Sequence, residues 1–164
     1  MEQDIFQAIY NQHYPSIYRL CLGYVKGNAD LAADLAQEVF IRVWEKHDEF
    51  KNQSQVSTWL YRIAVNCCLT EIRRSKSYQN RIQSYQAPEG DSAEKQHSDQ
   101  EILQQCIAQL DEPDRVLAML ILEELPQPEI AQVLGLSEGN TRVKIHRLKE
   151  KLRAVYQNKV AQNA

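Results

Sequence analysis

Apolar residues recur at helical spacing along most of the chain. Over 31–43 they fall at every fourth position, which predicts a helix with one buried stripe and an N-cap at Asp30. Similar spacing over 5–24 predicts one or two helices interrupted near Pro15, and the residues at 57–74 predict another long helix. No segment alternates between apolar and polar residues as a half-buried strand would. The pattern therefore predicts an all-α protein.

The helical pattern stops over 75–100. Ser, Gln, Glu and Asp dominate this segment, and few apolar residues interrupt them. A segment of that composition cannot bury enough apolar surface to form a core. The sequence therefore predicts two small helical domains, 1–76 and 100–158, joined by an acidic flexible linker at 77–99.

The second domain contains the pattern of a helix-turn-helix over 127–147. Gly135 falls where the first helix must end at a positive φ, and Ser137 is placed to cap the second helix. A generic helical hairpin is the alternative, but turn, cap, inner stripe and basic outer surface together favour DNA binding in the major groove. The inner stripe of the second helix consists of Thr141, Ile145, Leu148, Leu152 and Val155.

Basic side chains are concentrated in two blocks, although the chain as a whole carries a net charge of −3. Residues 51–85 carry six basic side chains and one acidic side chain. Residues 142–164 carry seven basic side chains and one acidic side chain. Binding to a polyanion depends on local Lys and Arg density rather than on net charge. The two blocks therefore fit a nucleic-acid ligand, while two solvated helix faces would give the same charge distribution.

The helix predicted over 57–74 carries a narrow polar stripe beside its apolar positions, with Trp59 and Tyr61 near its start. Basic and hydrogen-bonding groups beside aromatic rings suit single-stranded nucleic acid, whose bases are free to stack. Aromatic residues at such positions are more often core anchors, so the stripe alone does not establish a binding site. Its members are Thr58, Arg62, Asn66, Thr70 and Arg73.

Several function classes lack their sequence signatures. The four cysteines have no C-x-x-C spacing and the four histidines are scattered, so no metal site is expected. No nucleophile-elbow, Walker or dinucleotide-binding motif occurs, so we expect no enzyme, no catalytic residue, no cofactor and no small-molecule substrate. The chain starts without a secretory signal and has no apolar run near the ~20 residues of a membrane helix, which predicts a cytoplasmic protein.

Three segments together resemble the RNA polymerase sigma factors of bacteria. They are residues 34–40 (DLAQEVF), residues 58–66 (TWLYRIAVN) and the helix-turn-helix, in the family's order and spacing. The resemblance is to the small extracytoplasmic-function (ECF) group, which retains only regions two and four of the larger family, and it covers nearly the whole chain outside the linker and the ends. It implies a protein that binds core RNA polymerase and directs promoter-specific initiation by recognising and melting promoter DNA.

The resemblance also implies roles for individual residues. The helix at 34–45 corresponds to the contact with the clamp helices of the largest polymerase subunit, where we expect Asp34, Gln37, Glu38, Ile41 and Glu45. The loop at 50–56 and the next helix correspond to the site that melts the minus-ten element and holds a flipped base, where we expect Lys51, Asn52, Arg62, Asn66, Arg73 and Arg74. The helix-turn-helix corresponds to the reader of the minus-thirty-five element, where we expect Ser137, Asn140, Arg142, Lys144, Arg147 and Lys151.

The implied partners are core polymerase, through its clamp helices and its flap, and promoter DNA. Members of the family are commonly held inactive by an anti-sigma factor, which makes such a protein a further expected partner. The linker would pass through the polymerase between the two domains, and its acidic character suits a path normally occupied by nucleic acid.

Two other functions fit part of the sequence. A free-standing helix-turn-helix regulator would need a dimer or ligand interface in the first domain, and both the linker and the second basic block argue against it. A helical adaptor that binds only protein would leave the basic second helix of the motif unexplained. Transcription from a cognate promoter by core polymerase, with and without the chain, distinguishes the three functions.

Overall fold

The structure is a computed structural model that describes residues 3–50, 55–71, 73–85 and 98–162. Within these ranges every regular element is helical, as the sequence predicted. A short 3-10 helix at His47–Glu49 follows α2, and a π-helical turn at Cys67–Glu71 follows α3. The α-helices are α1 (Gln3–Tyr24), α2 (Ala29–Glu45), α3 (Val56–Asn66), α4 (Lys76–Ser84), α5 (Asp99–Ala108), α6 (Glu112–Leu122), α7 (Gln127–Leu134) and α8 (Glu138–Gln162).

The first helix continues through Pro15, where the sequence predicted an interruption. Proline removes one backbone N–H from the helical ladder and crowds the preceding turn, so packing must hold the two halves together. The ring of Tyr14, just before the proline, lies 6.0 Å from the ring of Phe40 on α2. Ile17, just after it, is almost fully buried. Both halves of α1 are thus held in the hydrophobic core.

Two further helix boundaries differ from the prediction. The N-cap of α2 is Asn28 rather than Asp30, because the Asn28 side chain accepts a backbone N–H of the first turn at 3.1 Å. The single helix expected over 57–74 is α3 followed by the π-helical turn. Cys67 and Cys68 are adjacent in this turn and both are fully buried. The wider turn changes the phase of the helix, which a period of 3.6 residues does not foresee.

A helix also occupies the start of the predicted linker. In α4, Ile82 is buried and Tyr78 packs against the core. Residues 77–84 of the predicted linker are thus helical and contact the core through two apolar side chains about one turn apart. At the other end α5 begins at Asp99, with Ser98 as its N-cap. The remaining linker residues, 86–97, lie outside the described residues.

The two predicted domains share one hydrophobic core. Buried residues of α1, α2 and α3 belong to the same contiguous cluster as buried residues of α6 and α7. At the centre α1 packs on α6 so closely that a Cβ on Gly23 would lie 2.1 Å from Met119 Sδ. Nearby, the guanidinium carbon of the buried Arg115 lies 5.4 Å from the ring centroid of Tyr24. The sequence indicated the two units but not this contact between them.

All four cysteines are buried, which agrees with their expected role as small apolar side chains. A hydrogen bond with Cys21 and full burial raise the pKa of the Cys68 thiol. Across the described residues no three His, Cys, Asp or Glu side chains converge as metal ligands. No helix in the same ranges combines the length and the apolar character needed to span a membrane.

Candidate protein and nucleic-acid interfaces

The outer surface of α2 presents the residues expected to contact polymerase. The opposite, buried side of α2 carries the apolar stripe predicted over 31–43. Two of the carboxylates already have cationic partners. Glu38 Oε1 lies 2.9 Å from Arg42 Nη2, and Asp34 Oδ2 lies 3.9 Å from Arg81 Nη1 of α4. One of the expected residues is half-buried and the others are exposed; the full set is Asp34, Gln37, Glu38, Ile41 and Glu45.

Trp44 adds an apolar element to this surface that the sequence did not assign to it. Trp44 directly follows Val43 of the buried stripe, yet 43% of the residue is exposed, and Ile41 is 48% exposed. The Trp44 ring lies 5.1 Å from the ring of Phe6 and 5.7 Å from that of His47. The helical angle of Trp44, at the edge of the stripe, is the signal that could have identified it. The surface therefore combines carboxylates with exposed apolar groups.

The residues expected at the minus-ten element lie on α3 and just beyond it. Arg62 and Asn66 are exposed and one helical turn apart, as the polar stripe predicted. Arg73 and Arg74 are exposed in the turn that follows the π-helical segment. Lys51 and Asn52 lie outside the described residues. The π-helical turn separates the α3 pair from the arginine pair, so the four described side chains do not follow one continuous helical stripe.

The helix-turn-helix contacts this same stripe. Arg62 Nη2 donates a hydrogen bond to the backbone carbonyl of Gln132 at 2.8 Å. The hydroxyl of Thr58, which is 2% exposed, donates to Glu129 Oε2 at 3.5 Å. Further along, Arg73 forms an ion pair with Glu112 of α6. Residues expected to bind nucleic acid are therefore engaged by backbone oxygen and carboxylates of the second unit.

Glu123 is the centre of a polar cluster between the two units. Arg19 of α1 donates to both carboxylate oxygens of Glu123, with N–O distances of 2.7 and 2.8 Å. The hydroxyl of Tyr61 donates to the same carboxylate at 3.4 Å. Burial, and then the negative charge of Glu123, raise the pKa of Tyr61 to about 12. The hydrogen bond to Glu123 raises the pKa of the Arg19 guanidinium. Both shifts reinforce the protonation states that the cluster needs, a neutral Tyr61 hydroxyl and a charged Arg19 guanidinium.

The predicted helix-turn-helix is confirmed as α7, a tight turn and α8. Gly135 ends α7 at φ +65°, and the backbone N–H of Leu136 donates to the Ala131 carbonyl at 2.9 Å, which closes the helix end. Ser137 caps α8, because its hydroxyl accepts the backbone N–H of Asn140 at 3.1 Å. Thr141 is fully buried beneath the turn. These local contacts fix the angle at which α8 leaves the turn.

The outer surface of α8 carries the residues expected at the minus-thirty-five element. Lys151 differs from the others, because its ammonium group forms an ion pair with Asp114 of α6, and this contact raises the pKa of Lys151. Val143 is 47% exposed among these polar residues, and sequence reasoning passed over it. The exposed set is Ser137, Asn140, Arg142, Lys144, Arg147 and Lys151.

Comparison with known proteins places both units in one family. Residues 9–78 match the family described as Sigma-70 region 2, and residues 100–152 match Sigma-70, region 4. The ECF RNA polymerase sigma factor SigW of Bacillus subtilis is 32% identical over 93% of this chain and 89% of its own length. SigM of the same organism, also an ECF RNA polymerase sigma factor, is 27% identical over 90% of this chain and 93% of its own.

Two solved structures share the fold. CnrH, in complex with the cytosolic domain of CnrY, superposes with a TM-score of 0.70 at 21% identity, covering 96% of this chain and 90% of CnrH. The sigma factor RpoE of Bartonella quintana, in complex with the anti-sigma factor NepR, superposes with a TM-score of 0.71 at 19% identity, covering 93% of this chain and 96% of RpoE. The superpositions extend over both units, so the shared fold is not confined to one of them.

Proposed function

This chain belongs to the extracytoplasmic-function group of the sigma-70 RNA polymerase sigma factors, and we propose that the surfaces described above are those with which it performs that function. As a sigma factor it binds core RNA polymerase and directs initiation at specific promoters. The observation that carries the assignment of surfaces is the presence, in one chain, of an α3 stripe with basic groups and a helix-turn-helix whose second helix is basic on its outer side.

We assign polymerase binding to the outer surface of α2. Support comes from its exposed carboxylates and from Ile41 and Trp44, which leave apolar area uncovered. Reversing the charge of Asp34 and Glu38 to Lys is expected to weaken association with core polymerase at moderate salt. Neither side chain is buried, so helical content and melting temperature should stay near those of the wild type. Unchanged association would refute the assignment.

We assign promoter binding to two places. Arg62, Asn66, Arg73 and Arg74 are proposed to hold the opened minus-ten strand, together with Lys51 and Asn52 from the segment before α3. Extruding a base costs a few kcal/mol, so hydrogen-bonding and cationic groups are needed to stabilise the open strand. The N-terminal turns of α8 are proposed to read the minus-thirty-five element, for which we name Ser137, Asn140, Arg142, Lys144, Arg147 and Lys151.

The two promoter-binding surfaces are not available together in the described arrangement. Arg62, which is proposed to hold the minus-ten strand, is bound to the Gln132 carbonyl of the helix-turn-helix, and Thr58 beside it is bound to Glu129. We infer that the described arrangement is the resting form of the free chain. Binding to polymerase and promoter would then separate α3 from α7.

A regulatory partner is part of the proposal. RpoE of Bartonella quintana was solved with an anti-sigma factor, and its superposition spans both units of this chain. We propose that an anti-sigma factor binds this chain as well and stabilises the arrangement in which α3 and α7 are in contact. We ascribe no catalytic step to the chain itself, since polymerase supplies the chemistry, and we place its action in the cytoplasm, where polymerase and promoter DNA occur.

Reconstituted transcription tests the function directly. Core polymerase from the source organism should start transcription at a defined set of genomic sites only when the purified chain is added. A second arm uses Asn66→Ala, which should reduce permanganate reactivity of the minus-ten region more than it reduces closed-complex binding. Transcription that is independent of the chain would refute the function. Wild-type permanganate reactivity in Asn66→Ala would refute only the role of Asn66.

A further inference from the structure

Val143 lies at the centre of the outer surface of α8. At 3.6 residues per turn, its side chain points about 170° away from the middle of the buried stripe, which Thr141, Ile145 and Leu148 define. Among the residues of α8 up to Lys151, only Glu150, two turns further along, points as directly outward. Arg142 and Lys144 lie towards the two edges of this surface, whereas Asn140 and Arg147 flank Val143 one turn before and after it.

The fold itself does not account for a valine at this position. Val143 is 47% exposed, and it belongs neither to the hydrophobic core nor to the apolar residues packed against the core. Exposed valine also lowers helix propensity relative to alanine or lysine. Three other exposed apolar residues have a neighbouring apolar surface: Ile41 and Trp44 share the outer side of α2, and Leu122 borders an apolar cavity of about 70 Å³. Val143 instead stands alone among polar and basic side chains.

The surface around Val143 is open to a close approach. Gly139 lies one turn before Val143 on the same outer side of the helix, and no heavy atom lies within 4 Å of a Cβ built on it. The backbone is therefore uncovered beside Val143. Asn140 and Arg147 supply hydrogen-bond donors on either side, the side-chain types that pair with adenine and guanine in the major groove. An apolar group between such donors fits the one apolar feature of that groove, the 5-methyl group of thymine.

We propose that Val143 is a specificity-determining residue that recognises a thymine of the minus-thirty-five element by packing against its 5-methyl group. The proposal rests on the proposed role of α8 as the reader of that element. It adds an apolar contact to a surface otherwise described by charge and hydrogen bonding. Burying one methyl group against one side chain corresponds to about a three- to fivefold change in affinity.

Deoxyuridine substitution tests the proposal, because it removes only the 5-methyl group and leaves base pairing and the O4 acceptor in place. The probes are duplexes of a promoter mapped by the transcription assay above, each with one minus-thirty-five thymine replaced by deoxyuridine. Wild-type holoenzyme should lose about three- to fivefold in affinity at one thymine. Val143→Ala should bind the thymine duplex with a similar loss and should no longer respond to deoxyuridine at that position.

Matched variants separate the possible failures. Val160→Ala removes an exposed valine later in α8 and should keep the full response to deoxyuridine. Arg147→Ala reports on the proposed role of α8 and should weaken promoter binding in every duplex. If Arg147→Ala weakens binding but no thymine responds to deoxyuridine in the wild type, or if the promoter lacks a minus-thirty-five thymine, the role of Val143 is refuted. The same conclusion follows if Val143→Ala keeps the wild-type response. If neither Arg147→Ala nor Val143→Ala changes promoter binding, the role of α8 itself is refuted.

Discussion

The contact between Arg19 and Glu123 allows the proposed resting form to be tested by charge exchange. The pair is bidentate, with N–O distances of 2.7 and 2.8 Å, and joins α1 to the end of α6. The Arg19 side chain is 54% exposed and that of Glu123 only 8%. An ion pair at the surface contributes up to about 1 kcal/mol, and the bidentate geometry together with the largely buried Glu123 carboxylate places this one at the upper end.

Reversing one charge removes the attraction and introduces a repulsion of similar size. Arg19→Glu or Glu123→Arg should therefore destabilise the contact between the units by about 2 kcal/mol, which shifts the ratio of closed to open forms ~30-fold. The double exchange, Arg19→Glu with Glu123→Arg, restores opposite charges and should recover most of the closed form. Reversion by the double variant separates an effect of this pair from a general loss of stability.

Energy transfer between dyes on the two units measures the closed fraction. Because all four native cysteines are buried, the exposed positions Ala33 and Ala154 can be changed to cysteine and labelled. Each single reversal should lower transfer efficiency and increase binding of a single-stranded minus-ten oligonucleotide by the free chain. Equal transfer in all four proteins would refute the resting form. A double variant that stays as open as the singles would show that Arg19 and Glu123 act through something other than their mutual attraction.

Three further outcomes are expected. Leu148→Ala, on the buried side of α8 at a residue that is 1% exposed, should lower the free energy of unfolding by about 2–5 kcal/mol in chemical denaturation, and a loss under 1 kcal/mol would contradict the packing described. Asp114→Asn should release Lys151 for phosphate contact, strengthening holoenzyme binding to all DNA sequences alike and steepening the salt dependence by about one charge; an unchanged slope would argue against it. Because the pKa of Tyr61 is raised to about 12, its contribution to stability should be constant below its ordinary pKa and fall as pH rises from about 10 through 12. Tyr61→Phe should therefore reduce the loss of stability over that range in pH-dependent unfolding.

Local patterning was sufficient for much of the second unit. Gly135, Ser137 and the stripe from Thr141 onward act through contacts within a few residues, so the sequence identified the turn, the cap and the buried side of α8. The outer side of α2 followed from the same reasoning, since a helix with one apolar stripe must expose the opposite side. Local patterning failed at Pro15 and in the π-helical turn, where packing between helices overrides the local signal.

The sequence by itself thus determined the all-helical class, the helix-turn-helix and the family, because these depend on periodicity and on motifs within single segments. Only the tertiary structure decided which polar groups meet across the two units. Arg62 and Gln132 are 70 residues apart, and Arg19 and Glu123 are 104 apart. A helical pattern specifies which side of a helix is buried, but it does not specify which other helix covers that side. An exposed arginine can therefore face water, DNA or a distant carbonyl with the same local sequence, and only the packing of α1 on α6 and α3 on α7 selects the carbonyl.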